Sequence, residues 1–150
     1  MNKNLEMYRD NLQILKENGF NFISFDEINR KDRFIYLRHD VDFSLESALQ
    51  MAKLETSINI NSNYFFMISS NFYNIFSHHS FKIIKEIQKL GHNISIHFDL
   101  TIYDDIEDGF FREKNIFENF FDTKIDIVSF HRFGSLYKNE KYSELKTSLF

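Results

Sequence analysis

Two aspartates and a histidine stand close together in the segment Arg38-His39-Asp40-Val41-Asp42, directly after an apolar run that ends at Leu37. Carboxylates and imidazoles are side chains that transfer protons and bind metal ions near neutral pH. A second polar cluster occurs in Ile96-His97-Phe98-Asp99, and a third in Ser129-Phe130-His131-Arg132. The recurrence of these residue types beside three apolar runs predicts one composite site, most simply a site that binds a metal ion.

The chain contains no cysteine, so a bound metal ion would have to use imidazole, carboxylate and water as ligands. We predict Asp42 and His97 as the first two ligands and favour His131 as the third. Asp40 then remains available as a general base toward a water molecule at the metal. Two carboxylates this close together resist joint ionisation unless a cation lies between them. The alternative is that Asp40 and Asp42 are ordinary loop residues, with Asp42 interacting with the dipole of the next helix.

Three further polar residues in or near these clusters are His39, Arg132 and His92. His39 has two open roles, either orienting Asp40 or packing beneath the site. Arg132 either supports a carboxylate, clamps an anionic group of a substrate, or forms a surface ion pair. His92 stands five positions before His97, so a strand would place it at the opposite end and on the other face. We therefore predict a structural role for His92.

Apolar runs alternate with amphipathic segments along most of the chain, and the β-prone runs predict four strands near residues 34–38, 63–67, 93–97 and 125–130. Such alternation predicts an α/β fold with a parallel sheet. Right-handed crossovers would place the carboxyl ends of all four strands at one edge of the sheet. The three polar clusters are expected to meet at that edge.

The spacing of apolar residues also predicts the helices between these strands, over residues 5–18, after Ser44, from Ser77 to Gly91, and over 109–121. Ser44 and Ser77 are suitable residues to cap the N-termini of their helices. In the last of these helices we expect the inward-facing residues to be Phe110, Ile116, Phe117 and Phe120.

The composition is that of an ordinary globular domain, with 150 residues, 43% hydrophobic residues and nineteen phenylalanines available for a core. The net charge of −4 and the dispersed lysines and arginines indicate no basic surface for nucleic acid. The sequence contains no run of 18 apolar residues, so it predicts no membrane-spanning helix. The first six residues contain no apolar signal region, and we expect a cytoplasmic protein.

These motifs resemble those of the polysaccharide deacetylase superfamily, which is defined by NodB homology and includes carbohydrate esterase family 4. The resemblance is closest to a divergent branch whose first motif reads Arg-His-Asp-Val-Asp, as residues 38–42 do here. The segment Gly91–His97 resembles the second motif, and Ser129–Arg132 resembles the third. The stretch Ser62–Phe66 resembles the strand between the first two motifs, so the agreement extends over roughly residues 35–135.

The resemblance implies a distorted (β/α) barrel that binds zinc or another divalent ion and removes acetyl groups from N-acetylated sugars. In that family the first motif supplies a general base and a metal-binding aspartate, which correspond to Asp40 and Asp42. His97 corresponds to a metal-binding histidine of the second motif. The family's usual second histidine, four residues later, is replaced here by Thr101, so that either Asp99 or His131 would complete the ligand set.

A closed barrel of this type needs about eight strands, whereas this sequence predicts four or five. We therefore expect one domain over residues 1–150 that lacks the C-terminal barrel strands, where the family keeps its general-acid histidine. The predicted function is a metal-dependent hydrolase, with zinc as cofactor, that deacetylates an N-acetylated sugar or glycan precursor. The alternative is a non-catalytic module that binds a sugar or a partner chain completing the barrel.

Overall fold

The computed structural model describes residues 3–24 and 33–132, and within these ranges an N-terminal helix precedes alternating strands and helices. The helices are α1 (Lys3–Glu17), α2 (Leu45–Ser57), α3 (His78–Lys89) and α4 (Ile106–Phe121). The strands are β1 (Asn21–Phe22), β2 (Phe34–Ile35), β3 (Arg38–Val41), β4 (Asn63–Phe66), β5 (Asn93–Asp99) and β6 (Ser129–His131). The remainder of the predicted domain, including residues 133–150, lies outside the described residues.

The main sheet contains β3, β4, β5 and β6 in that order, and every adjacent pair is parallel. The register pairs Asp40 with Phe65, Phe65 with Ser95, and His97 with Ser129. This arrangement confirms the prediction of four parallel strands that are sequential neighbours. With helices on one face, the curled sheet forms part of a (β/α) barrel.

The predicted first strand, residues 34–38, is wrong in its bounds because the chain divides it between two sheets. Phe34 and Ile35 pair with Asn21 and Phe22 in a separate two-stranded parallel sheet. The main sheet begins only at Arg38, so Asp40 lies within strand β3 and only Asp42 follows it. As the edge of the main sheet, β3 exposes Arg38 and Asp40 to solvent, which a polar strand tolerates.

The predicted fourth strand, residues 125–130, is also shorter and later in the structure. Strand β6 starts at Ser129, where its pairing with His97 begins. The preceding segment is held by side chains instead: Glu118 accepts a hydrogen bond from the backbone N–H of Ile125, and Ser95 donates one to the carbonyl of Ile127. Side-chain bonds of this kind satisfy the backbone without a ladder.

The two faces of the main sheet have different roles because side chains alternate along each strand. The face toward the helices belongs to the hydrophobic core, which includes Val41, Tyr64, Phe66, Ile94, Ile96 and Phe98. The opposite face carries Asp40, Ser95, His97 and Ser129, as the register requires. The apolar face therefore anchors the sheet, and the polar face is available for a site.

The helices begin largely where the sequence predicts. Ser44 accepts a hydrogen bond from the N–H of Ser47, and Ser77 accepts one from the N–H of Ser80, so both serve as N-caps. Helix α4 starts three residues earlier than predicted, because Asp105 caps it through the N–H of Asp108. Among the described residues we find no helix with the length and apolar character that a membrane crossing requires.

The predicted inward face of α4 is partly wrong. Phe110 and Phe117 are buried, but Ile116 and Phe120 are 44% and 37% exposed. The buried positions follow helical spacing through Ile106, Phe110, Phe117 and Phe121, which leaves Ile116 and Phe120 on the flank. Phe120 lies there with its ring against those of Phe76 and Phe81.

Candidate metal centre

The three predicted metal ligands come together at the carboxyl edge of the main sheet. Oδ1 of Asp42 lies 3.3 Å from Nε2 of His97 and 3.5 Å from Nδ1 of His131. The two imidazole nitrogens are 3.0 Å apart, and each residue offers a ligand atom within 4.8 Å of the others. We call Asp42, His97 and His131 the triad.

The environment of the triad fits a divalent cation. Oδ1 of Asp42 is buried and accepts no hydrogen bond, which is costly for a carboxylate oxygen unless a cation neutralises it. Ligand atoms about 2.0–2.1 Å from a tetrahedral zinc ion lie roughly 3.3 Å from one another, close to the three separations within the triad. A carboxylate with two imidazoles is also a donor set that zinc accepts.

Strand β6 orients the imidazole of His97. Nδ1 of His97 lies 3.1 Å from the hydroxyl of Ser129 and 3.3 Å from its carbonyl oxygen. A proton on Nδ1 donated to Ser129 leaves the Nε2 lone pair directed at Asp42 and His131, an arrangement common around protein metals. Burial lowers the pKa of His97 and outweighs the negative charges of Asp40 and Asp42, which raise it. The neutral, metal-binding form of His97 is therefore favoured.

Asp40 lies beside the triad and is held by an arginine that sequence reasoning did not assign. Its Oδ1 is 3.9 Å from Nδ1 of His97, and its Oδ2 accepts a hydrogen bond of 2.8 Å from Arg38. Arg38 and Asp40 are two positions apart on β3, so they project from the same face. That spacing is a signal that could have identified Arg38 from the sequence.

The structure brings His131, and not Asp99, together with Asp42 and His97. Oδ1 of Asp99 instead accepts hydrogen bonds from the backbone N–H and the hydroxyl of Thr101, at 2.9 and 2.7 Å. Its Oδ2 lies 3.9 Å from Nε of Arg132, whose Nη1 also reaches the hydroxyl of Thr101. Asp99 and Arg132 therefore stabilise the loop after β5, next to the triad.

His39 points to the opposite face of the sheet from Asp40, so the structure favours the second of its two predicted roles. Its Nε2 is 2.7 Å from Oε1 of Glu55, and its ring lies against that of Tyr64, with 4.7 Å between centroids and the planes tilted by 36°. Packing on the helix side separates it from the triad. His39 thus lies beneath the site and does not contact the carboxylate of Asp40.

Glu55 is a fully buried carboxylate of α2 that sequence reasoning missed. It accepts hydrogen bonds from the hydroxyls of Tyr8, Ser62 and Tyr64, at 2.5, 2.6 and 2.9 Å. Burial raises the pKa of Glu55, but the hydrogen bond and charge of His39, with the bonds from Ser62 and Tyr8, lower it below its ordinary value overall. The cluster joins α1, α2 and the sheet beneath the site.

His92 has the structural role predicted for it and lies at the amino end of β5, away from the triad. Its Nδ1 accepts a hydrogen bond from the N–H of Ser62 at 3.1 Å, and its Nε2 lies 2.9 Å from the carbonyl oxygen of Ala52. These partners assign the proton to Nε2. The side chain is buried, and burial lowers its pKa.

Two more side chains support the carboxyl edge of the sheet without a clear sequence signal. The hydroxyl of Tyr73 donates to the carbonyl of Val41 at 2.7 Å and accepts from the N–H of Met67 at 2.9 Å, which ties the loop after β4 to the end of β3. Buried Glu113 of α4 accepts hydrogen bonds from Tyr103 and Ser69. In the sequence, the only indication of this role is that Glu113 occupies a position on the buried face of an amphipathic helix.

No protein-family model and no curated protein matches the sequence. Among solved structures, the fold is similar to that of Streptococcus pyogenes deacetylase PplD in complex with acetate, with a TM-score of 0.61 and 14% sequence identity. The match covers 83% of this chain and 61% of that chain. At 14% identity the similarity establishes the fold alone, and any reaction has to be inferred from the residues of the site. The chain therefore has an α/β fold similar to that of this protein, with its four parallel strands forming part of a barrel.

Proposed function

We propose that this protein is a metal-dependent hydrolase that removes the acetyl group from an N-acetylated sugar or glycan precursor. The observation that carries the proposal is the triad, whose three ligand atoms lie within 4.8 Å of one another beside the carboxylate of Asp40. A fold shared with a deacetylase that was solved with acetate supports acetyl removal over other hydrolytic reactions. The N-acetylated sugar is the substrate class that the sequence motifs imply.

In this proposal Asp42, His97 and His131 hold the ion, and zinc is the ion that we favour for this donor set. A divalent ion, when bound, lowers the pKa of water and polarises an acyl oxygen. Ser129 keeps the Nε2 lone pair of His97 directed into the triad. The unpaired Oδ1 of Asp42 supplies the negative charge that a cation requires.

Asp40 is the residue that we propose accepts a proton from the attacking water. Its Oδ1 lies 3.9 Å from Nδ1 of His97, while Arg38 holds its Oδ2 at 2.8 Å. Because Arg38 fixes one carboxylate oxygen of Asp40, the other oxygen keeps a constant orientation. A general base must be held within reach of the reacting atoms in this way. Arg38 is thus a positioning residue, and Asp40 is the proposed catalytic base.

The test is acetate release from N,N′,N″-triacetylchitotriose by the zinc-loaded protein. We expect release by the wild type and a loss of about 10²–10⁴-fold in Asp40→Asn. The matched control is Asp99→Asn, whose carboxylate contacts Thr101 instead of the triad. Release that is equal in wild type and Asp40→Asn would contradict the proposal.

A second candidate function is a non-catalytic module that binds a sugar or a partner chain. It is favoured by the sheet itself, since the described residues contribute four strands to it where a closed barrel needs about eight. Stoichiometric zinc binding by a wild-type protein that releases no acetate would select this candidate. A single domain over residues 1–150 without the C-terminal barrel strands, and a cytoplasmic location, stay predictions.

A further inference from the structure

Two exposed phenylalanines lie against each other near the end of β3. Phe43 directly follows Asp42, and its ring meets that of Phe72 edge to face, with 4.6 Å between centroids. Their exposed fractions are 67% and 64%, so each ring gives up apolar burial in this position. We infer that Phe43 and Phe72 form the surface on which the sugar ring of the substrate stacks, an inference that rests on the proposed function.

The loop that carries Phe72 is fixed by hydrogen bonds. The hydroxyl of Ser70 accepts bonds from the N–H groups of Phe72 and Tyr73, at 3.1 and 3.4 Å. The hydroxyl of Tyr73 in turn donates to the carbonyl of Val41, at the end of β3. Phe72 is therefore held in place relative to Asp42 and Phe43 before any ligand arrives, which reduces the entropy lost on binding.

A surface hollow connects Phe43 to the proposed catalytic base, and the ring of Phe72 lies against that of Phe43 outside the lining of the hollow. The hollow has a volume of about 480 Å³, and its walls include Asp40, Asp42, Phe43, Ser44 and Met51. Ligand sites typically measure about 300–1,000 Å³, so this one has room for one or two sugar rings. A sugar lying on Phe43 in this hollow would bring its acetamide group toward Asp40 and Asp42, which line the same hollow.

The chemistry of the pair favours a neutral sugar. A pyranose ring presents C–H groups on its faces and hydroxyls at its rim, and these C–H groups are attracted to the negative face of an aromatic ring. Phenylalanine offers no hydrogen bond, so the ligand needs an apolar face of its own. The nearby carboxylates disfavour an anion, and two rings are far smaller than the roughly 800 Å² per partner of a stable protein interface.

The test measures binding separately from catalysis. Triacetylchitotriose is titrated by calorimetry into zinc-loaded Asp40→Asn protein, which is expected to deacetylate it about 10²–10⁴-fold more slowly than the wild type. We expect Phe43→Ala and Phe72→Ala, added to this background, each to raise the Kd about tenfold. Phe72→Tyr, which keeps the ring, should retain the affinity, whereas Phe72→Leu should not. The matched control is Phe111→Ala on α4, a phenylalanine that is 47% exposed and should bind as tightly as the background.

An unchanged Kd in the folded alanine variants would overturn the inference, as would a failure of the background protein to bind triacetylchitotriose at all. Folding of each variant is checked by circular dichroism. If an alanine variant unfolds, the comparison of the Kd values of Phe72→Tyr and Phe72→Leu still tests the inference. Failure of the proposed function gives a different result. In that case triacetylchitotriose still binds through Phe43 and Phe72, while the wild type releases no acetate.

Discussion

At the scale of single residues, neighbouring carboxylates have different surroundings. Oδ1 of Asp42 is buried without a hydrogen bond and faces two imidazoles, whereas Asp40 is paired with Arg38. A buried carboxylate oxygen without a hydrogen bond is suited to bind a cation, and a solvent-accessible oriented carboxylate is suited to accept a proton, which are the roles we propose for Asp42 and Asp40. The residue types and their order indicated these roles, but the contact with Arg38 separates them physically.

The first prediction separates these roles by metal content. Asp42→Asn should lose zinc, because a neutral amide is a poorer ligand for a divalent cation than a carboxylate. Asp40→Asn should retain zinc, because Asp40 lies outside the group of three ligand atoms. Zinc per protein chain is measured by atomic absorption after desalting. Equal loss of zinc in both variants would show that Asp40 is itself a ligand.

At the scale of elements, loops at the carboxyl edge are tied to helices through particular side chains. The ring of Tyr103 stacks on Phe98, and its hydroxyl donates to Glu113 of α4. Gly109 makes room for that ring, since a Cβ at position 109 would lie 2.3 Å from Cγ of Tyr103. The glycine is thus explained by close packing, although a helix interior ordinarily disfavours glycine.

The second prediction follows from this contact. Gly109→Ala should lower the free energy of unfolding by about 1–3 kcal/mol, because overpacking against Tyr103 exceeds the roughly 1 kcal/mol that alanine adds to a helix. Urea unfolding followed by circular dichroism measures the change. The control is Asn115→Ala at an exposed position of the same helix, which should be neutral or stabilising. A more stable Gly109→Ala protein would mean that Tyr103 moves aside at little cost.

The third prediction concerns the buried histidine between α2 and β5. Burial lowers the pKa of His92 below its ordinary value of 6.5, so the unfolded chain binds a proton there more readily than the folded one. The free energy of unfolding should therefore fall as the pH falls below about 6.5. A proton on Nδ1 would also face the N–H of Ser62, so Nδ1 could no longer accept the hydrogen bond that this N–H donates.

This pH dependence is measured by urea unfolding at about pH 7.5 and about pH 5.5, in wild type and in His92→Gln. The wild type should lose more stability between these two values, because glutamine does not titrate. The lowered pKa of Glu55 acts in a lower range, since its contribution is present above its ordinary value and disappears only in stronger acid. An identical loss in both proteins would assign the pH dependence to other groups.

At the scale of the whole molecule, the triad joins strands that are far apart in the sequence. Asp42 follows β3 at one edge of the sheet, His131 ends β6 at the other, and His97 lies on β5 between them. A cation shared by the three would connect both edges of the sheet. Such a ligand stabilises the folded state, because the unfolded chain does not hold the three groups together.

The fourth prediction is that zinc raises the Tm of the wild-type protein. Free zinc at about a hundred times its Kd should add about 2.7 kcal/mol to the free energy of unfolding, which corresponds to roughly 5–10 °C for a domain of this size. Differential scanning calorimetry with zinc, and then with a chelator, measures the shift. His131→Ala should abolish most of it, whereas His79→Ala, an exposed histidine of α3, should not. A similar shift in both variants would indicate binding elsewhere.

The alternation of strands and helices and the order of the four parallel strands could be predicted from the sequence. Those features depend on local periodicity and on the handedness of the crossovers, which are properties of short segments. The sequence also indicated Asp42, His97 and His131 as a group, because each stands at or near the carboxyl end of an apolar run. Strand bounds were less predictable, as the division of residues 34–38 between two sheets shows.

Which side chains contact one another depends on the tertiary structure. Three contacts show this: His131 with the other two members of the triad, His39 with Glu55, and Phe72 with Phe43. The residues in each contact are 16 or more positions apart in the sequence. Contacts of this kind depend on strand register and on which face of a strand points inward, and a shift of one residue reverses that face. The sequence therefore predicts the chemistry available, while the packing of the sheet against its helices selects the residues that meet.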